Sequence, residues 1–140
     1  MVDLHHQVPI NASPAKVYAA IATSEGNRGW WTADSTVDSK IGGDATFGFD
    51  QRGTVFHMTI NKLSDREVVM SCRGDPAEWN GTTLAWRIEG AGNQTTLRFT
   101  HCNWRSMTDF CASCNSMWGR LMFRLKDYAE TGKPAPQWKE

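Results

Sequence analysis

The strongest constraint in this 140-residue sequence is a change of hydrophobic period, from alternating apolar residues in the middle to a helical stripe in the last third. Five middle runs place apolar side chains at every second position, as expected of strands with one buried face. The runs cover residues 45–49, 56–60, 68–72, 84–88 and 97–101. Short turns rich in Gly, Asp and Asn separate them, so the pattern predicts antiparallel hairpins.

The last third predicts one long helix over about 107–131, followed by a short tail over 132–140. Apolar residues recur there at steps of three and four, which is typical of a single buried helix face. They are Phe110, Cys114, Met117, Trp118, Leu121, Leu125 and Tyr128. The segment 106–109 supplies capping side chains, and Gly132 followed by Pro134 is a common helix end.

The first third predicts a short strand over 5–10 and two short helices. Ser13 and Pro14 favour a helix start, because a hydroxyl caps free amides and proline fits the first turn. A second turn begins at Ser24 and leads to Trp30 and Trp31. An apolar sheet face needs a cover, so the long helix must lie across it. We therefore predict a single α+β domain over 1–140, with a curved antiparallel sheet of about six or seven strands wrapped around the C-terminal helix.

The charge balance and the hydropathy of the sequence limit which partners and which cellular compartment we expect. The chain carries 15 basic and 15 acidic residues, so nucleic acid is not expected as the main partner. No window approaches 18 apolar residues, so membrane insertion is not expected either. The N-terminus lacks the pattern of a signal peptide, and we read the four cysteines as thiols of a cytoplasmic protein.

Several short segments, in their order and spacing, resemble the START-like superfamily, also known as the birch-pollen-allergen, helix-grip or SRPBCC superfamily. Within it, the sequence looks like the branch related to activators of the heat-shock-protein ATPase. The segments are Ile10-Asn-Ala-Ser-Pro-Ala-Lys-Val-Tyr18, Trp30-Trp31-Thr32, Ile41-Gly-Gly43, Trp79-Asn-Gly-Thr82, Leu97-Arg-Phe-Thr-His101, Cys114-Asn-Ser-Met-Trp118, Leu125-Lys-Asp-Tyr128 and Glu130-Thr-Gly132. Together they span residues 10–132.

The resemblance implies a helix-grip fold, with a sheet that grips the long helix and a cavity between them that commonly takes an apolar ligand. It implies no single activity, because the superfamily includes lipid carriers, hormone receptors, cyclases of aromatic polyketides and co-chaperones. A function inferred from it rests on analogy of fold.

Seven tryptophans are many for this length, and they favour a chain that encloses or grips something. Rings and methionines on inward-facing positions would line a compliant apolar pocket. The predicted ligand-binding residues are Trp30, Trp31, Phe49, Phe56, Met58, Trp86, Phe99, His101, Met117, Trp118 and Met122. Plain core packing is the alternative for each ring. Trp79, Trp104 and Trp138 fall in predicted loops or the tail, at a cavity edge or a dimer contact.

His101 is the only catalytic candidate. Its strand position matches that of Leu97 and Phe99, so the imidazole should point toward the helix, where it could orient or protonate a ligand. The alternative is a core histidine that holds the sheet to the helix. Cys111 and Cys114 have a zinc-ligand spacing, but they lie within a helical stripe, where a thiol packs as a small apolar group. We predict no metal and no cofactor.

The leading hypothesis is a small-molecule binding protein that holds an apolar or aromatic ligand between the sheet and the C-terminal helix. One alternative is a co-chaperone-like interaction domain for a heat-shock ATPase. Another is an enzyme that resembles polyketide cyclases or dehydratases and uses His101. Whether the chain forms a homodimer is left open.

Overall fold

The computed structural model describes residues 1–139 and contains seven strands and three helices in that range. Glu140, the last residue of the predicted tail, lies outside the described residues. The elements are β1 Val2–Ile10, α1 Pro14–Ala22, α2 Ser24–Arg28, β2 Asp34–Val37, β3 Asp44–Phe49, β4 Thr54–Leu63, β5 Glu67–Arg73, β6 Thr83–Ala91, β7 Gln94–Trp104 and α3 Asp109–Thr131. Among the described residues, no helix combines the length and the hydropathy needed to cross a membrane.

The seven strands form one curved antiparallel sheet in the order β1-β7-β6-β5-β4-β3-β2. Each middle strand therefore pairs with its sequence neighbours, as short hairpins require, and β1 pairs with β7 at the far edge. The long helix α3 packs on the concave face, where the ring of Trp118 lies 4.3 Å from that of Phe99. The predicted helix-grip fold is confirmed.

The long helix begins and ends close to the predicted positions. Thr108 is its N-cap, and the Thr108 hydroxyl accepts a hydrogen bond from the amide of Cys111 at 3.1 Å. Gly132 ends the helix in the left-handed conformation, with φ of 72°, which glycine adopts at little cost. In the first turn of the helix, Cys111 faces the core and is buried. The adjacent Phe110, which the sequence placed on the buried helix face, is 39% exposed and does not lie on that face.

Two strands differ from the prediction. β1 starts at Val2 rather than at residue 5, because it pairs with β7 along almost its full length. Strand β2 was not predicted, since its sequence, Asp-Ser-Thr-Val, shows no apolar alternation. It forms because side chains from α2 satisfy its outer edge: Arg28 Nε donates to the carbonyl of Ser35 at 2.9 Å, and the amide of Val37 donates to Ser24 Oγ at 2.8 Å.

The two short helices pack closely against each other at Gly26. A Cβ atom built on Gly26 would lie 2.1 Å from the carbonyl oxygen of Ala19. By contrast, a Cβ atom on Gly119 in the middle of α3 would meet its nearest neighbour, Cε1 of His6, at 3.8 Å, which is an ordinary contact. Glycine is therefore required by packing at position 26, whereas at position 119 it only lowers the helix propensity of α3.

We expect Gly26→Ala to lower the free energy of unfolding by about 1–3 kcal/mol, because backbone must move to admit the methyl group. Gly119→Ala is the matched control and should raise it by roughly 0.5–1 kcal/mol, the gain in helix propensity. Urea unfolding followed by tryptophan fluorescence measures both. A Gly26→Ala protein as stable as the wild type would contradict the close approach of α1 and α2.

Candidate functional site

A cavity of about 390 Å³ opens to solvent between α3, the β3–β4 hairpin, the loop before β6 and the C-terminal tail. Its size lies within the range of small-molecule sites. It is lined by Trp31, Phe49, Asp50, Thr54, Phe56, Pro76, Trp79, Phe110, Ser113, Cys114, Met117, Trp118, Leu121 and Trp138. Most of these side chains are apolar, and none is Lys, Arg or His.

The structure brings five of the predicted ligand-binding residues to this cavity. They are Trp31, Phe49, Phe56, Met117 and Trp118. The other six lie in the packed core and do not line the cavity. They are Trp30, Met58, Trp86, Phe99, His101 and Met122, each at most 3% exposed. The rings of Trp86 and Phe99 approach within 4.2 Å, so the deep end of the sheet–helix interior is filled by side chains.

Five rings form a continuous surface along one side of the cavity, which we call the aromatic wall: Trp138, Phe49, Phe56, Trp79 and Trp118. Successive ring centroids in that order lie 4.9, 4.8, 4.5 and 5.9 Å apart. These separations and the mostly tilted or edge-on angles are typical of favourable aromatic pairs. The wall joins α3, two strands, a loop and the tail into a single apolar face.

Two rings of the aromatic wall, Trp79 and Trp138, come from segments that the sequence placed in a loop or the tail, at a cavity edge or a dimer contact. Trp79 lies in the loop between β5 and β6, which is held by hydrogen bonds from the Trp79 amide to the Pro76 carbonyl at 2.9 Å and from the Thr82 amide to the Trp79 carbonyl at 2.8 Å. Trp104, which the sequence also placed outside the regular elements, is the last residue of β7 and is 1% exposed.

Trp138 reaches the cavity because the tail runs back along the chain after α2. The Trp138 amide donates to the Trp31 carbonyl at 3.0 Å, and the Ala33 amide donates to the Trp138 carbonyl at 2.9 Å. The Trp138 ring then meets Phe49 edge-on. No periodic signal marks this segment, so the sequence placed Trp138 only in the tail, at a cavity edge or a dimer contact.

His101 lies behind the cavity at the centre of a buried chain of hydrogen bonds. Trp118 Nε1 donates to His101 Nδ1 at 3.0 Å. Because an indole nitrogen can only donate, Nδ1 is unprotonated and the ring proton is on Nε2. Nε2 then donates to Thr82 Oγ1 at 2.9 Å, and Thr82 Oγ1 donates to the Trp79 carbonyl at 2.6 Å. We call this series the His101 chain.

Both ring nitrogens of His101 are therefore occupied by protein groups, and the side chain is fully buried. Burial lowers the pKa of His101 to about 3, because an apolar interior disfavours the charged imidazolium. The geometry matches the alternative given for this residue, a core histidine that holds the sheet to the helix. It leaves no nitrogen to orient or protonate a molecule in the cavity.

The cysteines are all free, and Cys114 is the one that lines the cavity. Burial raises the pKa of the Cys111 and Cys114 thiols, which keeps them neutral and of low reactivity. Within residues 1–139, no group of three or more His, Cys, Asp and Glu side chains is arranged to hold a metal ion.

The low pKa of His101 predicts a specific pH dependence of stability. The unfolded chain titrates near the ordinary value of 6.5, whereas the folded chain excludes the proton down to about 3. Between these values the unfolded state binds more protons, so the free energy of unfolding should fall as the pH drops below about 6.5. His6, whose pKa burial also lowers, contributes in the same direction.

Replacing His101 with Gln keeps one donor and one acceptor but cannot titrate, so we expect His101→Gln to flatten the fall in stability between about pH 6.5 and pH 4. Urea unfolding across this range measures the slope, and His57→Gln, at a half-buried site on β4, is the control substitution. A His101→Gln protein with the wild-type slope would contradict a buried neutral imidazole.

Comparison with known proteins matches residues 11–130 to the family described as activator of Hsp90 ATPase homolog 1-like protein. No curated protein matches the sequence. The solved Aha1 dimer from Colwellia psychrerythraea is 38% identical, with 95% of this chain and 99% of that chain covered and a TM-score of 0.85.

Two more distant structures share the fold alone. DynU16, from the dynemicin biosynthetic locus, is 19% identical over 99% of this chain and 51% of its own, with a TM-score of 0.79. CalU16 from Micromonospora echinospora is 15% identical over 96% and 78%, with a TM-score of 0.73. The family match covers most of the chain and agrees with the resemblance found in the sequence. This chain belongs to the family of activator of Hsp90 ATPase homolog 1-like proteins.

Proposed function

We propose that this protein binds a small apolar or aromatic molecule in the cavity bounded by the aromatic wall. The observation that carries the proposal is that five packed rings line one open space of about 390 Å³. Removing this apolar surface from water is the main source of affinity, at about 25 cal/mol per Å². Met117 at the same lining adds a side chain that adapts to irregular ligand shapes.

Binding is favoured over the other functions that the sequence left open. General acid–base catalysis needs a titratable pair within reach of the substrate, but the lining offers a single carboxylate, Asp50, and the neutral thiol of Cys114. Contact with a heat-shock ATPase is not favoured, because a concave apolar site of this size suits a small molecule.

The four free thiols support a reducing compartment, and we propose the cytoplasm.

Titration with N-phenyl-1-naphthylamine, a neutral dye that fluoresces in apolar surroundings, tests the binding proposal. We expect saturable binding of one dye per chain, weakened about tenfold or more by Trp138→Ala, because that variant removes one end of the aromatic wall. Ile41→Ala is the control, since Ile41 is 68% exposed and lies outside both the cavity lining and α3. No saturable binding, or equal loss in both variants, would contradict the proposal.

We also propose that two copies of this chain associate through the outer face of α3. The 38% identical relative is described as a dimer, and this face offers a self-complementary pattern. Ser116, Arg120, Phe123 and Asp127 are exposed at steps of four, three and four, which places them on one stripe. Phe123 supplies the apolar centre.

Antiparallel docking of two α3 helices about Phe123 would bring Arg120 of each copy opposite Asp127 of the other. This is the arrangement that a two-fold interface requires, since each contact then occurs twice. Opposite charges in register favour association and fix the register of the two helices. The stripe thus supports a second copy as its partner.

A charge exchange tests this face. We expect Arg120→Asp and Asp127→Arg each to shift the protein toward monomer, since each places like charges opposite one another. The double variant R120D/D127R should recover the dimer, because the pairs are restored with reversed sign. Sedimentation velocity over a concentration series measures the equilibrium, with Ile41→Asp, at a 68% exposed site elsewhere, as control. A monomeric wild type, or a double variant as dissociated as the singles, would contradict the proposal.

A further inference from the structure

Three of the five rings in the aromatic wall are almost fully covered by neighbouring side chains. Phe49, Trp79 and Trp118 line the cavity, yet each is at most 6% exposed. A ligand gains affinity in proportion to the apolar surface that it covers. The full wall is therefore available to a ligand only if a group that covers it moves away.

Four of the five rings are anchored by the elements that carry them. Trp118 is tied to β7 by its hydrogen bond to His101. Phe49 and Phe56 lie on the paired strands β3 and β4, and the backbone of Trp79 is bonded within its own loop. Displacing any of these rings would break strand pairing, the bonds of the loop or the His101 chain.

Trp138, the fifth ring, lies on a weakly anchored segment. None of residues 133–139 is buried, and the segment lies outside the helices and strands. The amides of Ala135, Gln137 and Trp138 donate to backbone carbonyls of residues 29–31 at 2.9, 3.2 and 3.0 Å. Segments with few buried contacts open at a free energy far below that of global unfolding. This segment is therefore the part of the wall that opens most easily.

The segment 133–139 is connected to α3 in a way that suits movement as one unit. Gly132, where α3 ends, tolerates a wide range of backbone conformations. Beyond it, Pro134 and Pro136 restrict the backbone and provide no amide donors. One side chain of α3 holds the segment in place, because Arg124 Nη1 donates to the Ala135 carbonyl at 2.7 Å.

We propose that residues 133–139 form a lid, which turns about Gly132 to admit a ligand to the aromatic wall and then returns Trp138 to cover it. Opening of the lid would uncover Phe49, against which the Trp138 ring packs edge-on at 4.9 Å. This inference rests on the proposed binding function and adds the step by which the ligand enters and is retained. Arg124 is then a positioning residue that holds the lid closed.

Stopped-flow mixing with N-phenyl-1-naphthylamine tests the lid through the rate of binding. The observed rate should level off at high dye concentration, because opening of the lid is a unimolecular step that limits entry. Arg124→Ala should raise this limiting rate about fivefold, since one hydrogen bond that closes the lid is lost. Arg87→Ala, at an exposed site on β6 outside the cavity lining, is the matched control and should leave the rate unchanged.

Hydrogen exchange tests the lid without any dye. The amides of Ala135, Gln137 and Trp138 all donate to the segment after α2, so one opening event should expose them together. We expect them to exchange at similar rates and much faster than the amides of β6. Arg124→Ala should speed their exchange about fivefold and leave the exchange of β6 unchanged.

A variant that ends at Gly132 removes the lid, so its binding rate should rise in proportion to dye concentration without levelling off. A rate that still levels off in this variant would overturn the inference. If the shortened chain does not fold, Arg124→Ala decides the case.

A limiting rate that Arg124→Ala leaves unchanged, or lid amides that exchange only with global unfolding, would overturn the lid and leave the proposed binding function standing. Failure of the wild-type protein to bind the dye would overturn both the lid and the proposed function.

Discussion

The hydrogen bond from Trp118 to His101 is the contact on which the interior of this protein depends. It joins α3 to β7 inside an apolar core, and Thr82 continues the connection to the loop that carries Trp79. Each bond adds only about 1 kcal/mol of net stability, but breaking one would strand buried polar groups at a cost of about 1–3 kcal/mol. Because every donor in the His101 chain already has its acceptor, the chain fixes one arrangement of helix, strand and loop.

This arrangement positions the cavity without contributing a polar group to it. Trp118 and Trp79 stand at the two ends of the His101 chain, and both belong to the aromatic wall. The ring of Trp118 and the backbone of Trp79 are therefore held before any ligand arrives, which reduces the ordering cost of binding. His101, the catalytic candidate of the sequence, instead holds the sheet, the helix and the loop together.

Hydrophobic periodicity was enough to predict the fold. Buried residues recur every two positions on a strand and every 3.6 positions on a helix, and both patterns are visible in this sequence. It failed for β2, where Ser35 is buried by a hydroxyl contact to the Thr32 carbonyl rather than by an apolar side chain. For the site, the alternation of residues along each strand correctly predicted that Trp86 and Phe99 face inward. It cannot distinguish an interior filled by side chains from one that contains a cavity. Trp138 reaches the cavity through backbone hydrogen bonds to a distant segment, and Trp79 is held by bonds within its own loop. Neither arrangement leaves a periodic pattern in the sequence.

The central claim is the proposal that the cavity holds a small apolar or aromatic molecule. Native mass spectrometry of the protein purified from its source cells tests this most directly, because it needs no prior guess of the ligand. The expected result is one added mass per chain that is lost on denaturation and absent from the Trp138→Ala protein prepared in the same way. A protein that carries no bound molecule, or one whose bound molecule survives the Trp138→Ala substitution unchanged, would contradict it.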